Sequence, residues 1–178
     1  MPAYRCRYVG DGIMKKILVI GCPGSGKSYF SKKLSEYTKL PLCHLDMLFW
    51  NADRTTVTRE VFCERLEKVL KTDAWIIDGN YSFTMEKRLE KCDTVFFFDL
   101  PTEVCLEGVA MRRGKPRTDM PWNEADYPVD EEFIEFIKSF KEERKPSITE
   151  KLALFPEKKL YTFTERAKVN AFLQTFCK

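Results

Sequence analysis

The stretch Gly21-Cys22-Pro23-Gly24-Ser25-Gly26-Lys27-Ser28 fits G-x-x-x-x-G-K-[ST] at every fixed position. An apolar run, Ile17-Leu18-Val19-Ile20, leads into it, and a helix-compatible run from Tyr29 to Thr38 follows. Strand, glycine loop and helix together are the setting a P-loop requires. Glycines let backbone N–H groups turn inward around a polyphosphate, and the helix N-terminus adds a favourable dipole. On this reading Gly21 to Tyr29 cradle a nucleoside triphosphate, Lys27 reaches its β- and γ-phosphates, and the Ser28 hydroxyl ligates Mg²⁺. A glycine turn that binds nothing is the competing reading; the flanking strand and helix argue against it.

Outward from the loop, short apolar runs alternate with helical patterns. Lys39 to Leu45 reads as a second strand ending at Asp46, Ala74 to Ile77 as a third ending at Asp78-Gly79, Thr94 to Phe98 as a fourth, and Lys158 to Phe163 as a fifth. Helical spacing places Phe62, Leu66, Val69 and Leu70 on one face, and Phe133, Phe136, Ile137 and Phe140 on another. Asp130 opens that later helix, Thr102 is the expected N-cap of the helix after the fourth strand, and Tyr81 to Lys91 is expected to hold a short helix. Nearly continuous apolar strands imply a sheet covered on both faces, so the expectation is a three-layer α/β fold with a mostly parallel sheet. Ligands in such sheets sit at the carboxyl ends of strands, where the P-loop, Asp46, Asp78 and Asp99 all fall. Asp99, before Leu100-Pro101, reads mainly as a turn or cap residue.

The chain has 178 residues, enough for one domain with a real core, and its 44% hydrophobic and 32% charged composition is ordinary. A net charge of +3 is too weak to argue for nucleic acid, and no apolar run approaches a membrane span. Seven cysteines, an odd count without a C-x-x-C pair, read as reduced thiols of a cytoplasmic protein. A single histidine, His44, leaves no zinc cluster. Met14-Lys15-Lys16 directly precedes the first strand, so residues 1–13 are expected to be an extension, disordered or not native, with 14–178 forming a single domain.

Guanine-nucleotide signatures are absent. No aspartate begins D-x-x-G, and Asn123-Glu124-Ala125-Asp126 lacks the lysine of N-K-x-D. The P-loop, Trp75-Ile76-Ile77-Asp78-Gly79-Asn80, the Asp99-Leu100-Pro101 turn and a basic lid-like segment instead make the chain resemble the adenylate-kinase-like P-loop kinases from Met14 onward. More narrowly, His44-Leu45-Asp46-x-Leu48-Phe49-Trp50, Asp78-Gly79-Asn80-Tyr81 and Arg117-x-Asp119-Met120-Pro121 resemble the DNA topology modulation protein family. The resemblance implies a P-loop NTPase fold of five strands in the order 2-3-1-4-5, with helices on both faces and a short lid at about 112–128. It also implies an ATP- and Mg²⁺-dependent phosphotransferase acting on a small-molecule or nucleotide acceptor.

Phosphoryl transfer is mainly positioning and charge neutralisation, and each requirement has a candidate. Asp78 would hold Mg²⁺ with Ser28; an Asp–Gly turn is the alternative. Asp46 would orient the acceptor hydroxyl or take its proton; helix capping is the alternative. Arg112, Arg113, Lys115 and Arg117 would fold over bound phosphates, with Arg113 and Arg117 the catalytic candidates; a solvated basic loop is the alternative. Leu48, Phe49 and Trp50 either wall an acceptor pocket or pack in the core, and Arg54 and Arg88 are expected at the surface, with pairing to an anion on the acceptor as the alternative. Cys22 is either a redox-sensitive thiol or simply a small side chain. The short segment between Asp46 and Thr58 leaves little room for a nucleoside-monophosphate subdomain. The competing class is an ATP-binding switch acting on DNA topology or a protein partner.

Overall fold

β1 (Lys16–Gly21) lies in the middle of a five-stranded sheet, and its side chains from Ile17 to Ile20 are wholly buried. The computed structural model describes residues 14–122 and 130–176. The expected extension at 1–13 and residues 123–128 of the expected lid lie outside the described residues. The sheet order is β2-β3-β1-β4-β5, all parallel, with β2 at Leu42–His44, β3 at Trp75–Asp78, β4 at Thr94–Phe98 and β5 at Lys159–Phe163. This is the order the resemblance implies. β3 and β4 are buried on both faces, whereas edge strand β5 alternates between half-buried and exposed residues until Phe163. That contrast is what central and edge positions impose on a sheet with helices on both faces.

Among the described residues eight helices flank the strands: α1 (Lys27–Thr38), α2 (Leu45–Phe49), α3 (Arg59–Leu70), α4 (Met85–Lys91), α5 (Thr102–Arg112), α6 (Glu131–Glu143), α7 (Lys145–Ala153) and α8 (Arg166–Gln174), the last following β5. α1 presents Phe30 and Leu34 to the sheet. Phe30 sits edge-on to Phe96, Phe98 and Phe163, at centroid distances of 4.8, 5.3 and 5.7 Å. Phe172 of α8 closes this cluster. Such offset geometries are the favoured ones for aromatic pairs. Asp130 caps α6 as expected, accepting from the Phe133 N–H, and Thr58 caps α3, accepting from the Val61 N–H.

Several expectations are corrected. The second strand is shorter than 39–45, and Asp46 lies in the first turn of α2 rather than at the strand's last residue. Thr102 is the first residue of α5, with Pro101 in the cap position, so Thr102 does not cap it. The short helix expected within Tyr81 to Lys91 is present, running from Met85 to Lys91 after a 3₁₀ turn at Ser82–Thr84. α7 has no counterpart in the expectations; Pro146 falls in its first turn, where a missing N–H costs nothing. Arg88, expected at the surface, is 0% exposed.

Candidate active site

The loop after β1 turns through Gly24 and Gly26 at φ 80° and 96°, conformations that glycine adopts without strain. It is also pressed against α5. A Cβ on Gly24 would lie 2.0 Å from the Cys105 carbonyl oxygen, and one on Gly108 would lie 1.9 Å from the Gly24 carbonyl oxygen. Both residues must be glycine for loop and helix to touch. Asn80 pins the loop's start by two hydrogen bonds, accepting from the Gly21 N–H (2.9 Å) and donating to the Gly21 carbonyl (2.8 Å). On the reading of this loop as a phosphate cradle, Gly108→Ala is expected to displace it and weaken nucleotide binding at least ~10-fold, about 1.4 kcal/mol. Titration with a fluorescent ATP analogue checks this; full affinity in a folded variant would show that the α5 contact does not set the loop.

Lys27 is half-buried and folds back over the loop, Nζ donating to the Cys22 carbonyl at 2.8 Å. Burial pushes its ammonium pKa down, against the opposing pull of Asp78, Cys22 and Asp46. Asp78, at the end of β3, is 5% exposed. Its Oδ2 is hydrogen-bonded to His44 Nδ1 at 2.9 Å, while its Oδ1 is buried without a hydrogen-bond partner. Burial disfavours the His44 imidazolium, but the Asp78 hydrogen bond and charge override it and raise its pKa. Among the described residues no three His, Cys, Asp or Glu side chains converge as a metal cage. Mg²⁺ normally takes one or two carboxylates together with substrate phosphates. The orphaned Asp78 Oδ1 and the Ser28 hydroxyl on the same cleft fit that donor set.

Asp46 lines the same cleft as Lys27 and Asp78. Its Oδ1 accepts from the Tyr81 hydroxyl at 2.7 Å. Burial and the Asp78 charge push the Asp46 carboxyl up, against Tyr81, Lys27 and Arg117. Tyr81 follows Asp78-Gly79-Asn80, and Arg88 of α4 holds this turn from beneath. Its guanidinium donates to the carbonyls of Gly79 (2.8 Å), Asn80 and Tyr81 (3.1 Å), and Nε donates to Thr84 (3.3 Å).

The basic segment follows α5. Arg112 belongs to that helix, so the loop begins at Arg113. Arg113 and Lys115 are exposed and Arg117 is half-buried; all three border the cleft. Arg117 forks onto Asp119, Nε to Oδ1 at 3.0 Å and Nη2 to Oδ2 at 2.7 Å. Burial opposes the Asp119 charge, yet Arg117 and a hydrogen bond from Ser28 hold its carboxyl well below the usual carboxylate range. Phe49 packs against Phe62 and Tyr81, whereas Trp50 faces the cleft. Exposed Arg54 lies over the Trp122 ring, 5.0 Å from its centroid. The hydrogen bond to Cys105 and burial push the Cys22 thiol far up, so it is a packed small side chain and not a reactive thiolate.

The fold thus gathers Gly24 to Tyr29, Asp46, Asp78, Arg113 and Arg117 around one cleft of about 1350 Å³. That exceeds the usual 300–1,000 Å³ of a site for one drug-sized ligand. Gly21 and Cys22 lie beneath it, buried. His44, Tyr81 and Asp119 were given no role in the sequence reading, although each stands inside a quoted motif. Their partners are distant along the chain, and only the aromatic after Asp-Gly-Asn hinted at a placed side chain.

A scan against protein-family models finds no match, and a search of curated proteins finds none either. Among solved structures, the chain is similar to shikimate kinase from Bacteroides thetaiotaomicron, with a TM-score of 0.53 and 16% identity over 91% of this chain and 95% of that one. It is similar to shikimate kinase from Acinetobacter baumannii in complex with shikimate, with a TM-score of 0.58 and 16% identity over 92% and 93%. A gluconokinase from Sinorhizobium meliloti gives 0.54 and 13% over 91% and 90%. The chain has the P-loop kinase fold of these proteins.

Proposed function

We propose that this protein is a kinase that moves the γ-phosphoryl group of ATP, with Mg²⁺, to a hydroxyl group of a small molecule. The observation that carries the reading is that the P-loop Lys27 and the half-buried Asp46 carboxylate line one cleft, each within reach of the other's charge. A bare ATP-binding switch has no use for a second, acceptor-side carboxylate there. The three solved kinases lend support at the level of fold.

Bound Mg²⁺ would neutralise charge on the β- and γ-phosphates, with Asp78 and Ser28 as its protein ligands. The loop N–H groups and Lys27 grip the phosphates. Asp46 takes the acceptor's hydroxyl proton as the new O–P bond forms and the bond to the leaving ADP oxygen breaks. Arg113 and Arg117 add positive charge and, with the segment around them as a lid, exclude water. Between Asp46 and α3 there is only α2 and a tight hairpin closed by the Trp50–Thr56 bridge. That favours an acceptor smaller than a nucleoside monophosphate. The finer likeness to topology modulation proteins rests on the three sequence stretches alone, and no structural observation favours a DNA-directed switch.

The reading is tested by following ADP release from Mg·ATP with and without a pool of small hydroxylated metabolites. Stimulation by the pool supports a kinase; release that ignores the pool counts against it. With a stimulating acceptor in hand, kcat/KM is expected to rise with pH along an acid limb. Asp46 must be ionised to act as a base, and burial raises its pKa, so the limb falls at higher pH than for an ordinary carboxylate. Asp46→Asn should abolish that limb and most of the rate. A variant that keeps both would remove Asp46 from the mechanism.

A further inference from the structure

Tyr81 is the most constrained residue at the cleft. Its backbone sits at φ 37°, in the left-handed region that non-glycine residues avoid at a cost of about 1–3 kcal/mol. Its carbonyl and the two before it are held by the buried Arg88. Its ring stacks on Phe62 at 4.9 Å and meets Phe49 edge-on at 5.1 Å. A tyrosine so fixed by backbone, ring and carbonyl has one polar atom left, the hydroxyl, and that atom donates to Asp46. The hydroxyl oxygen is itself hydrogen-bonded to the side chain of Trp50, whose indole N–H can only donate. Trp50 in turn meets Trp122 edge-on, with centroids 6.3 Å apart and planes at 80°. Trp122 closes the described part of the basic segment, and Arg54 from the hairpin after Trp50 lies over its ring.

We propose that Tyr81 is a positioning residue that aims the Asp46 carboxylate, and that Trp50 and Trp122 tie its setting to the lid segment. This rests on the reading of Asp46 as the acceptor-side carboxylate. The Asp46 oxygen bonded to Tyr81 is turned away from use as a base, which leaves Oδ2 for the acceptor hydroxyl. A donor aligned on the carboxylate stabilises its ionised form, and a Trp50 N–H bonded to the Tyr81 oxygen makes that hydroxyl a better donor. The lid segment, through Trp122, then bears on the residue that orients the base. The coupling runs through one continuous set of contacts from lid to carboxylate, which is what a physical link between them requires.

The test needs no known acceptor. The Asp46 carboxyl carbon is followed by ¹³C NMR titration in the full chain, with Asp46→Asn giving the assignment and circular dichroism confirming the fold. The charged and titratable groups facing Asp46 are Lys27, His44, Asp78, Arg117 and Tyr81, and only Tyr81 is altered directly. Tyr81→Phe keeps the ring packing, and its midpoint is expected to move to higher pH by about half a unit or more. Trp50→Phe, which keeps a ring but loses the N–H, is expected to move it in the same direction by less. Trp122→Leu should follow Trp50→Phe, and neither should add to the effect of Tyr81→Phe in a double variant. An unmoved midpoint in folded Tyr81→Phe overturns the positioning role. Shifts that add in the double variants overturn the link to the lid. If no acceptor is ever phosphorylated while these midpoints move as stated, the contact chain stands and the kinase reading falls.

Discussion

Replacing Lys27 with alanine is expected to lower phosphoryl transfer at least ~10²-fold while leaving the fold in place. The ammonium is the one P-loop side chain able to follow negative charge as it shifts toward the leaving oxygen, and loss of a single such group in other sites costs about 10²–10³ in turnover. Among the described residues its one hydrogen bond is to the Cys22 carbonyl of its own loop, so no distant element there loses a partner. Burial already disfavours its charge, so alanine also relieves a desolvation cost. Thermal unfolding should therefore change little, and the loss should appear in kcat more than in the melting temperature. A Lys27→Ala variant with undiminished turnover would exclude the P-loop from the reaction.

The second large effect is expected at a residue far from the phosphates. Arg88→Met should destabilise the protein by about 3 kcal/mol or more and also impair the site. The methionine fits the space of a fully buried side chain, but the carbonyls of Gly79 and Asn80 lose their guanidinium donor, and those of Tyr81 and Thr84 lose one of theirs, Tyr81 keeping the Thr84 N–H and hydroxyl. Each buried acceptor left without a partner costs about 1–3 kcal/mol. Part of this is offset because a buried guanidinium is itself costly, with burial holding its pKa at about 9. The turn that Arg88 supports carries Asp78 at one end and Tyr81 at the other, so its relaxation misplaces the proposed metal ligand and the proposed positioning residue together. Urea unfolding reads the stability. A loss below about 1 kcal/mol would mean that the turn holds its strained shape without Arg88.

How far the sequence discloses these features depends on how local their causes are. β1, the glycine loop and α1 are legible because glycine spacing, an apolar run and helical spacing all act within about 20 residues. Asp130 as a cap and the aromatic face of α6 are legible for the same reason. The strand order is not legible from periodicity, since every central strand looks alike; it came from the family resemblance. Arg88 reads as a surface residue because a lone arginine on a short helix carries no sign of four carbonyls waiting above it. α7 escaped because Pro146 reads as a break, although a first-turn proline is compatible with a helix. The Gly24–Gly108 approach and the Tyr81–Asp46 bond join residues on different elements, and nothing in the local pattern of either partner announces the other. The acidic strand ends were visible as candidates. That Asp46 stands a residue inside α2, held by a tyrosine, required the fold.

The most direct measurement of the central claim is the fate of the γ-phosphoryl group. The wild-type protein and Lys27→Ala are incubated with [γ-³²P]ATP, Mg²⁺ and the pooled small hydroxylated metabolites, and the products are separated. The account predicts label on an organic acceptor in the wild type and ~10²-fold less in Lys27→Ala. Label found only in inorganic phosphate, or on an acceptor to the same extent in both proteins, would contradict it.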